Sequence, residues 1–213
     1  GLAYERFLAL AYPASSYSIP TVGWMHDLER MTLDDLRQWH TRWYSPNNAT
    51  LVIVGDVQPE QAHALVERHF GSIPARAVPE ARLPLELDEP GARRSSQYLK
   101  TRLPSLMLGF NVPSLSTSQN PSEIHALRLI SALLSGGDSA RLPAQLERQQ
   151  ELVAGAGSWY NAFARGDSLF VLSATPNVQK NISLEQTEQA LWHQLKALQD
   201  NPPAAAELAR VRA

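Results

Sequence analysis

The sequence predicts an α+β fold: a two-layer sandwich of mostly antiparallel sheet with helices packed on one face. Three observations carry this expectation. The elements read in the order α, β, α, β, β, α, α, β, β, α, so strands arrive as adjacent pairs without long crossovers between them. The helices carry apolar residues along one stripe, as elements that cover a sheet must. The composition is that of a globular chain: 213 residues, 44% hydrophobic, 11 Gly and 15 Pro.

The chain opens in GLAYERFLALAY, a helical pattern already under way, and closes in PPAAAELARVRA, a helix barely begun. Both ends read as those of an excised piece of a longer protein. The stretch 32-TLDDLRQWHTRWY-44 predicts an amphipathic helix, with Thr32 as cap, Asp35 three residues on, and Leu33, Leu36, Trp39 and Trp43 on one face. Trp24, Trp39 and Trp43 are expected in the core, and Met25 and Met31 as fillers of core gaps. A turn at Ser45-Pro46-Asn47-Asn48 opens into 49-ATLVIVGDV-57, expected as a strand covered on both faces or at a sheet centre. A helix follows from Pro59 to about Phe70, with Gly71 expected to close it at positive φ.

From Ser72 to Gly91 four prolines predict a surface connection. Residues 96–102 and 105–113 predict an antiparallel strand pair joined at Leu103-Pro104. A core helix is expected over 121–135, and Gly136-Gly137-Asp138 leads to a second helix from Ser139 to about Gln150. Residues 152–163 and 168–175 read as a hairpin around Arg165-Gly166-Asp167. The stretch 181–199 predicts a long helix with a Ser183/Gln186 capping pattern.

Charge and composition exclude several functions. A formal net charge of −2 with 19% charged residues leaves no clustered basic face for nucleic acid. The absence of Cys removes thiolate metal sites and Cys nucleophiles. The longest aliphatic run, Leu51 to Val54, is far too short to span a bilayer.

The segment 63-HALVERH-69 holds two of six histidines and invites a metal reading. On a helix, however, His63 and His69 diverge by about 120°, whereas a helical zinc pair needs His at i and i+4 or the His-x-x-Glu-His spacing. His69 is expected on the apolar face with Leu65, Val66 and Phe70, and His63 with Glu67 as a solvated i, i+4 pair. A metal site built from His63, Glu67 and His69 is the reading this spacing disfavours. No Gly-x-Ser-x-Gly elbow is present, so neither catalytic nor metal residues are assigned. Gly136, Gly137, Asp138 and Ser139 precede a helix, where free N–H groups favour anions, but they lack the Lys and spacing of a phosphate loop. Two readings stand for them: a turn with Ser139 as N-cap, or a contact to a peptide, carboxylate or partner.

The stretch 22-VGWMHDLERMTLDDLRQWHTRWYSPNNATLVIVGDV-57 resembles the zinc metallopeptidases of the pitrilysin/insulinase family, peptidase M16. The resemblance rests on Gly23, the turn Tyr44-Ser45-Pro46-Asn47-Asn48, the strand-like run Leu51 to Asp56, HFGSIP at the end of the helix predicted from Pro59, and 135-SGGDSARL-142. It implies the second, non-metal domain of the zinc-bearing half, with 1–213 as one such domain, 1–20 as its lead-in from an upstream domain and 204–213 as the start of a further helix. The family's His-x-x-Glu-His motif lies upstream of the region matched. Zinc is therefore implied for the full-length parent and none for this chain. An Arg and a Tyr assist substrate binding in the opposite half of such enzymes; Glu147 and Ala154 stand at the corresponding places, which supports the zinc-bearing half. The partners implied are the upstream zinc-binding domain, a second half or subunit, and a peptide substrate. A bacterial periplasmic location is what the resemblance suggests. A noncatalytic subunit or core-type structural protein of the same fold is the alternative.

Overall fold

Leu169 to Ala174 form the middle of the sheet, and both sides of this strand are covered. The computed structural model describes residues 1–88 and 91–212, so Glu89, Pro90 and Ala213, which belong to the predicted connection and the last helix, lie outside the described residues. Two units emerge from the chain: residues 1–20 with 83–213, and residues 21–82.

In the first unit, β1 (Leu106–Val112), β2 (Val153–Tyr160) and β3 (Ser168–Pro176) form an antiparallel sheet in the order β1-β3-β2. The predicted hairpin is therefore present, with Tyr160 opposite Phe170 and Ala156 opposite Ala174. An irregularity between Val153 and Gly155 shifts the register at its far end. Side chains alternate across a strand. Phe170, Leu172 and Ala174 accordingly face one side, where they pack with Leu134, Leu142, Leu146, Val153 and Leu191 in the main core. That side is covered by α5 (Pro121–Ser135), a π-helix (Leu142–Gln149) and α6 (Leu184–Asp200). Asn120 caps α5 by accepting from the Ser122 amide at 3.1 Å, and Pro121 takes the first helical position, where its missing N–H costs nothing. Ser183 and Gln186 close the capping box that starts α6. A three-serine junction fixes α5 on β2: Ser158 Oγ donates to the Ser131 carbonyl at 3.0 Å, and Ser135 Oγ accepts from the Ser158 amide at 2.9 Å. The last helix, α7 (Ala205–Arg212), packs in this unit.

Leu169 and Val171 point to the opposite side and meet Tyr12, Phe7, Leu8, Ala11 and Tyr17. These come from α1 (Leu2–Ala11) and the 3-10 turn Ser16–Ser18. The sheet thus has its main helical layer on one face, as expected, and a shorter segment across the other.

The second unit contains α2 (Met25–Arg30), α3 (Leu33–Trp43), a 3-10 turn Pro46–Asn48 and α4 (Pro59–Phe70). The capping box of α3 is formed: the Thr32 side chain accepts from the Asp35 amide, and Asp35 Oδ2 accepts from the Thr32 amide at 2.8 Å. Several expectations fail here. The run 49–57 is not a strand; Leu51, Val52, Ile53 and Val54 are exposed. A strand needs a neighbour's row of N–H and C=O groups, and residues 21–82 hold no second strand to supply one. Trp39, Met25 and Met31 are exposed rather than core, because α3 and α2 have no covering layer within their unit. Gly71 closes α4 at φ −60, not at positive φ. Its need for glycine is steric instead, since a Cβ there would lie 2.5 Å from the Glu67 carbonyl oxygen.

In the first unit the predicted strand at 96–102 is also missing, and β1 pairs with β3 rather than with it. Tyr98 and Leu99 are adjacent, so an extended chain sends them to opposite sides and leaves no apolar face to bury. Tyr98 is fully exposed.

Candidate functional site

The loop Gly136–Ser139 joins α5 to the π-helix, and its geometry differs from the reading of Ser139 as N-cap. Gly136 ends α5 with its amide donating to the Ala132 carbonyl at 2.7 Å, and a Cβ on Gly136 would sit 2.5 Å from that oxygen. Gly137 adopts φ +92, a conformation that favours glycine whatever the space around it. The following helix starts later than expected, with Arg141 rather than Ser139 at the N-cap position and no side-chain cap. Ser139 is therefore not the N-cap. Its place in the turn is set instead by the Ala140 amide, which donates to the Gly137 carbonyl at 3.0 Å.

Two guanidinium groups hold the loop from outside. Arg210 donates to the Gly136 carbonyl at 3.0 Å, and Arg148 donates to the Asp138 carbonyl. With the carbonyls engaged, the amides of Asp138 and Ser139 are left without a protein acceptor among the described residues. A nearby groove of about 440 Å³ is lined by Ser139, Arg141, Gln145, Gln149, Asn201 and Glu207. Arg141 and Glu207 cross it as a two-pronged ion pair, Nε to Oε1 at 2.8 Å and Nη2 to Oε2 at 2.9 Å, with both side chains mostly shielded. The Arg141 guanidinium holds the Glu207 carboxyl below its ordinary range, and the same hydrogen bonds raise the arginine. At the base of the groove Gln145 accepts from Gln194 at 2.8 Å. Gln194 is buried, and its own side-chain carbonyl oxygen has no hydrogen-bond partner among the described residues.

Arg141 lay inside the stretch 135–142 that the sequence singled out, but Arg148, Arg210 and Glu207 gave no signal. Their partners are backbone carbonyls or a residue 66 positions away, and no spacing rule encodes such pairs. Glu147 accepts from the Ala156 amide on β2 at 2.9 Å, which ties the π-helix to the sheet, while Ala154 is exposed beside the register irregularity.

The two histidines of HALVERH are both exposed on α4. His69 lines a groove of about 770 Å³ together with Leu51, Ile53, Leu65, Val66 and Phe70, so it does share the apolar side of the helix. His63 is not among the groove's lining residues. Among the described residues no three His, Cys, Asp or Glu side chains converge on a point that could hold a metal ion. No described helix is long and apolar enough to cross a membrane.

Comparison with known proteins gives a consistent set of likenesses. The family model described as the peptidase M16 inactive domain matches residues 30–213. The chain is 30% identical over 202 residues to the zinc protease PqqE of Helicobacter pylori, covering 92% of this chain and 44% of that protein. Over 62 residues it is 37% identical to the probable zinc protease PqqL of Escherichia coli, covering 29% of this chain and 7% of that protein. The crystal structure of a protease from Helicobacter pylori superposes with a TM-score of 0.86 at 28% identity, covering 99% of this chain and 50% of the other. The first half of the periplasmic protease PqqL from Escherichia coli shares the fold at a TM-score of 0.68 and 20% identity, covering 99% of this chain and 44% of that one. The chain thus spans less than half the length of the curated relatives it matches.

Proposed function

We propose that this chain, which belongs to the peptidase M16 inactive-domain family, serves as the non-metal domain of a zinc endopeptidase. Residues 1–213 act together as one such domain, bracing a zinc-bearing domain and forming part of the wall of the chamber that receives a peptide. The observation that carries this reading is the match of 30–213 to the inactive domain in a chain that covers 44% of a relative named a zinc protease. The described residues offer no converging ligand trio, and His63 and His69 cannot make one from a regular helix. Metal chemistry is accordingly assigned to the other domain, and no step of it passes through residues of this chain.

What these residues contribute is position and contact. The loop Gly136, Gly137, Asp138, Ser139 is the surface we assign to a peptide or partner half. Arg148 and Arg210 fix its carbonyls, and the Asp138 and Ser139 amides are free to donate to a peptide carbonyl or carboxylate. Glu147 is engaged with the backbone of β2 and Ala154 has no polar group, so neither position serves as a substrate-binding Arg or Tyr. Partners are the zinc-bearing domain and a second M16 half. The compartment assigned is the periplasm, by analogy with the relative whose structure is described as a periplasmic protease.

The test is zinc content by elemental analysis, and cleavage of an unstructured peptide, for this chain beside its full-length parent. The expected result is about one zinc per parent chain with cleavage, and neither for the isolated domain. Stoichiometric zinc retained by the 213-residue chain after dialysis against a weak chelator would overturn the reading and send the search back to HALVERH.

A further inference from the structure

The polypeptide leaves the first unit after Pro20 and re-enters it at Leu83. Within that unit the departing and returning passages are tied to each other. The Glu86 carboxylate accepts from the Ala14 amide at 3.1 and 3.3 Å and from the Ser15 amide at 3.2 Å. Ser15 Oγ donates to the Pro84 carbonyl at 3.1 Å. Both passages are tied in turn to the β2–β3 turn. The Glu86 amide donates to Asp167 Oδ2 at 3.1 Å, and Tyr17 Oη accepts from the amides of Arg165 and Gly166 at 3.0 and 3.3 Å. Contact is so close that a Cβ on Gly166 would lie 2.0 Å from the Pro84 carbonyl oxygen.

Upstream of this neck, α1 crosses the second face of the sheet. Phe7 lies over Gly109, where a Cβ would stand 2.6 Å from the ring. Asn111 Nδ2 donates to the Ala11 carbonyl at 2.9 Å, and Tyr12 is buried against Leu169 and Val171. Burial pushes the Tyr12 hydroxyl well above its ordinary range.

We infer that residues 1–18 are a latched strap: Glu86 is the positioning residue that holds it closed, and closing it seals the Leu169–Val171 face and pins the two ends of the 21–82 excursion together. The physical basis is an asymmetry between the two faces of β3. The helix-covered face is held by a continuous apolar core from α5, the π-helix and α6. The strap face holds three buried apolar residues, Tyr12, Leu169 and Val171, so its closure leans on a few charge-assisted and backbone hydrogen bonds at the neck. Such a segment opens locally, at lower cost than the whole unit. The two passages meet across about 70 residues of chain, so the neck also replaces an open excursion with a closed one.

Because the inference assigns no activity, it fails or stands separately from the peptidase reading. Amide hydrogen exchange on the full chain tests it, comparing wild type with Glu86→Ala, which removes the shared acceptor, and Gly166→Ala, which forces Pro84 away without deleting any hydrogen-bonding side chain. Both variants are expected to speed exchange at Leu8–Ser18 by about 10- to 100-fold while amides of α6 stay at wild-type rates. Strap amides that exchange at wild-type rates in both variants would overturn the latch. So would strap and α6 amides that accelerate together, or a variant that fails to fold, because either outcome makes the neck an inseparable part of one cooperative unit.

Discussion

Glu151 follows the π-helix with φ 52, in the left-handed region where a side chain is strained, and the strain can be measured by removing the side chain. Its backbone is held there from both sides: the Asn177 side-chain amide donates to the Glu151 carbonyl at 2.9 Å, and the Leu152 amide donates to the Leu146 carbonyl at 2.9 Å. Those bonds use main-chain atoms and survive any substitution. A side chain in this conformation costs about 1–2 kcal/mol. Glycine relieves that cost but adds about 0.4–1 kcal/mol of freedom to the unfolded chain. The Glu151–Lys180 ion pair is half exposed, with side-chain exposures of 51% and 52%. Such pairs contribute about 0.2–1 kcal/mol.

Glu151→Ala loses the ion pair and keeps the strain, so it should destabilise by a few tenths of a kcal/mol. Glu151→Gly loses both, and should come out about 0.5 kcal/mol more stable than wild type and about 1 kcal/mol more stable than the alanine variant. Urea denaturation followed by circular dichroism measures this, with the m-value required to stay constant so that the midpoint reports stability alone. The corresponding difference in Tm between Gly and Ala is about 2–4 °C for a chain of this size. Elsewhere in a loop glycine would be the less stable of the two, so the sign is diagnostic. An alanine variant equal to or more stable than the glycine variant would refute the claim that the turn after the π-helix is strained by its side chain.

Leu172, fully buried between the sheet and its helical layer, should lose about 2–5 kcal/mol as Leu172→Ala, read as a lowered urea midpoint at an unchanged m-value. The Glu207 carboxyl is held low by Arg141, so its contribution to stability is present above the ordinary Glu value of about 4.3 and fades as pH falls through its lowered folded value. The stability difference between wild type and Glu207→Gln should therefore be constant near neutral pH and shrink below about pH 4, and a difference that grew on acidification would contradict the ion pair.

Local hydrogen-bond codes were the most legible part of the sequence. Thr32 with Asp35 and Ser183 with Gln186 each place donor and acceptor three residues apart, and Pro121 takes a first helical position that needs no N–H, so local sequence alone sets where α3, α6 and α5 begin. The β2–β3 hairpin was legible for the same reason, since its partners flank a short turn. The candidate loop was visible through its glycines, and the wrong register of HALVERH for a shared ion was visible from helical geometry alone.

Pairings over long separations lay beyond that code. An apolar run such as 51–54 and one such as 169–172 look equivalent as text, yet only the second has strands on both sides and layers on both faces. Whether an apolar run becomes a central strand depends on ladder partners supplied from elsewhere in the chain, and propensity carries no address for them. Glu86 and Tyr17 drew no notice, and Asp167 only as part of a hairpin turn, for the same reason: each is an ordinary residue until folding brings 14–17, 84–86 and 165–167 to one point. The sequence by itself determined the helix starts, the hairpin, the absence of thiols and the family likeness. Tertiary structure decided which strand is central, which glycines are required by contact and which by φ, and how residues 1–18 close the second face, because those are set by atoms that meet only after the chain has folded.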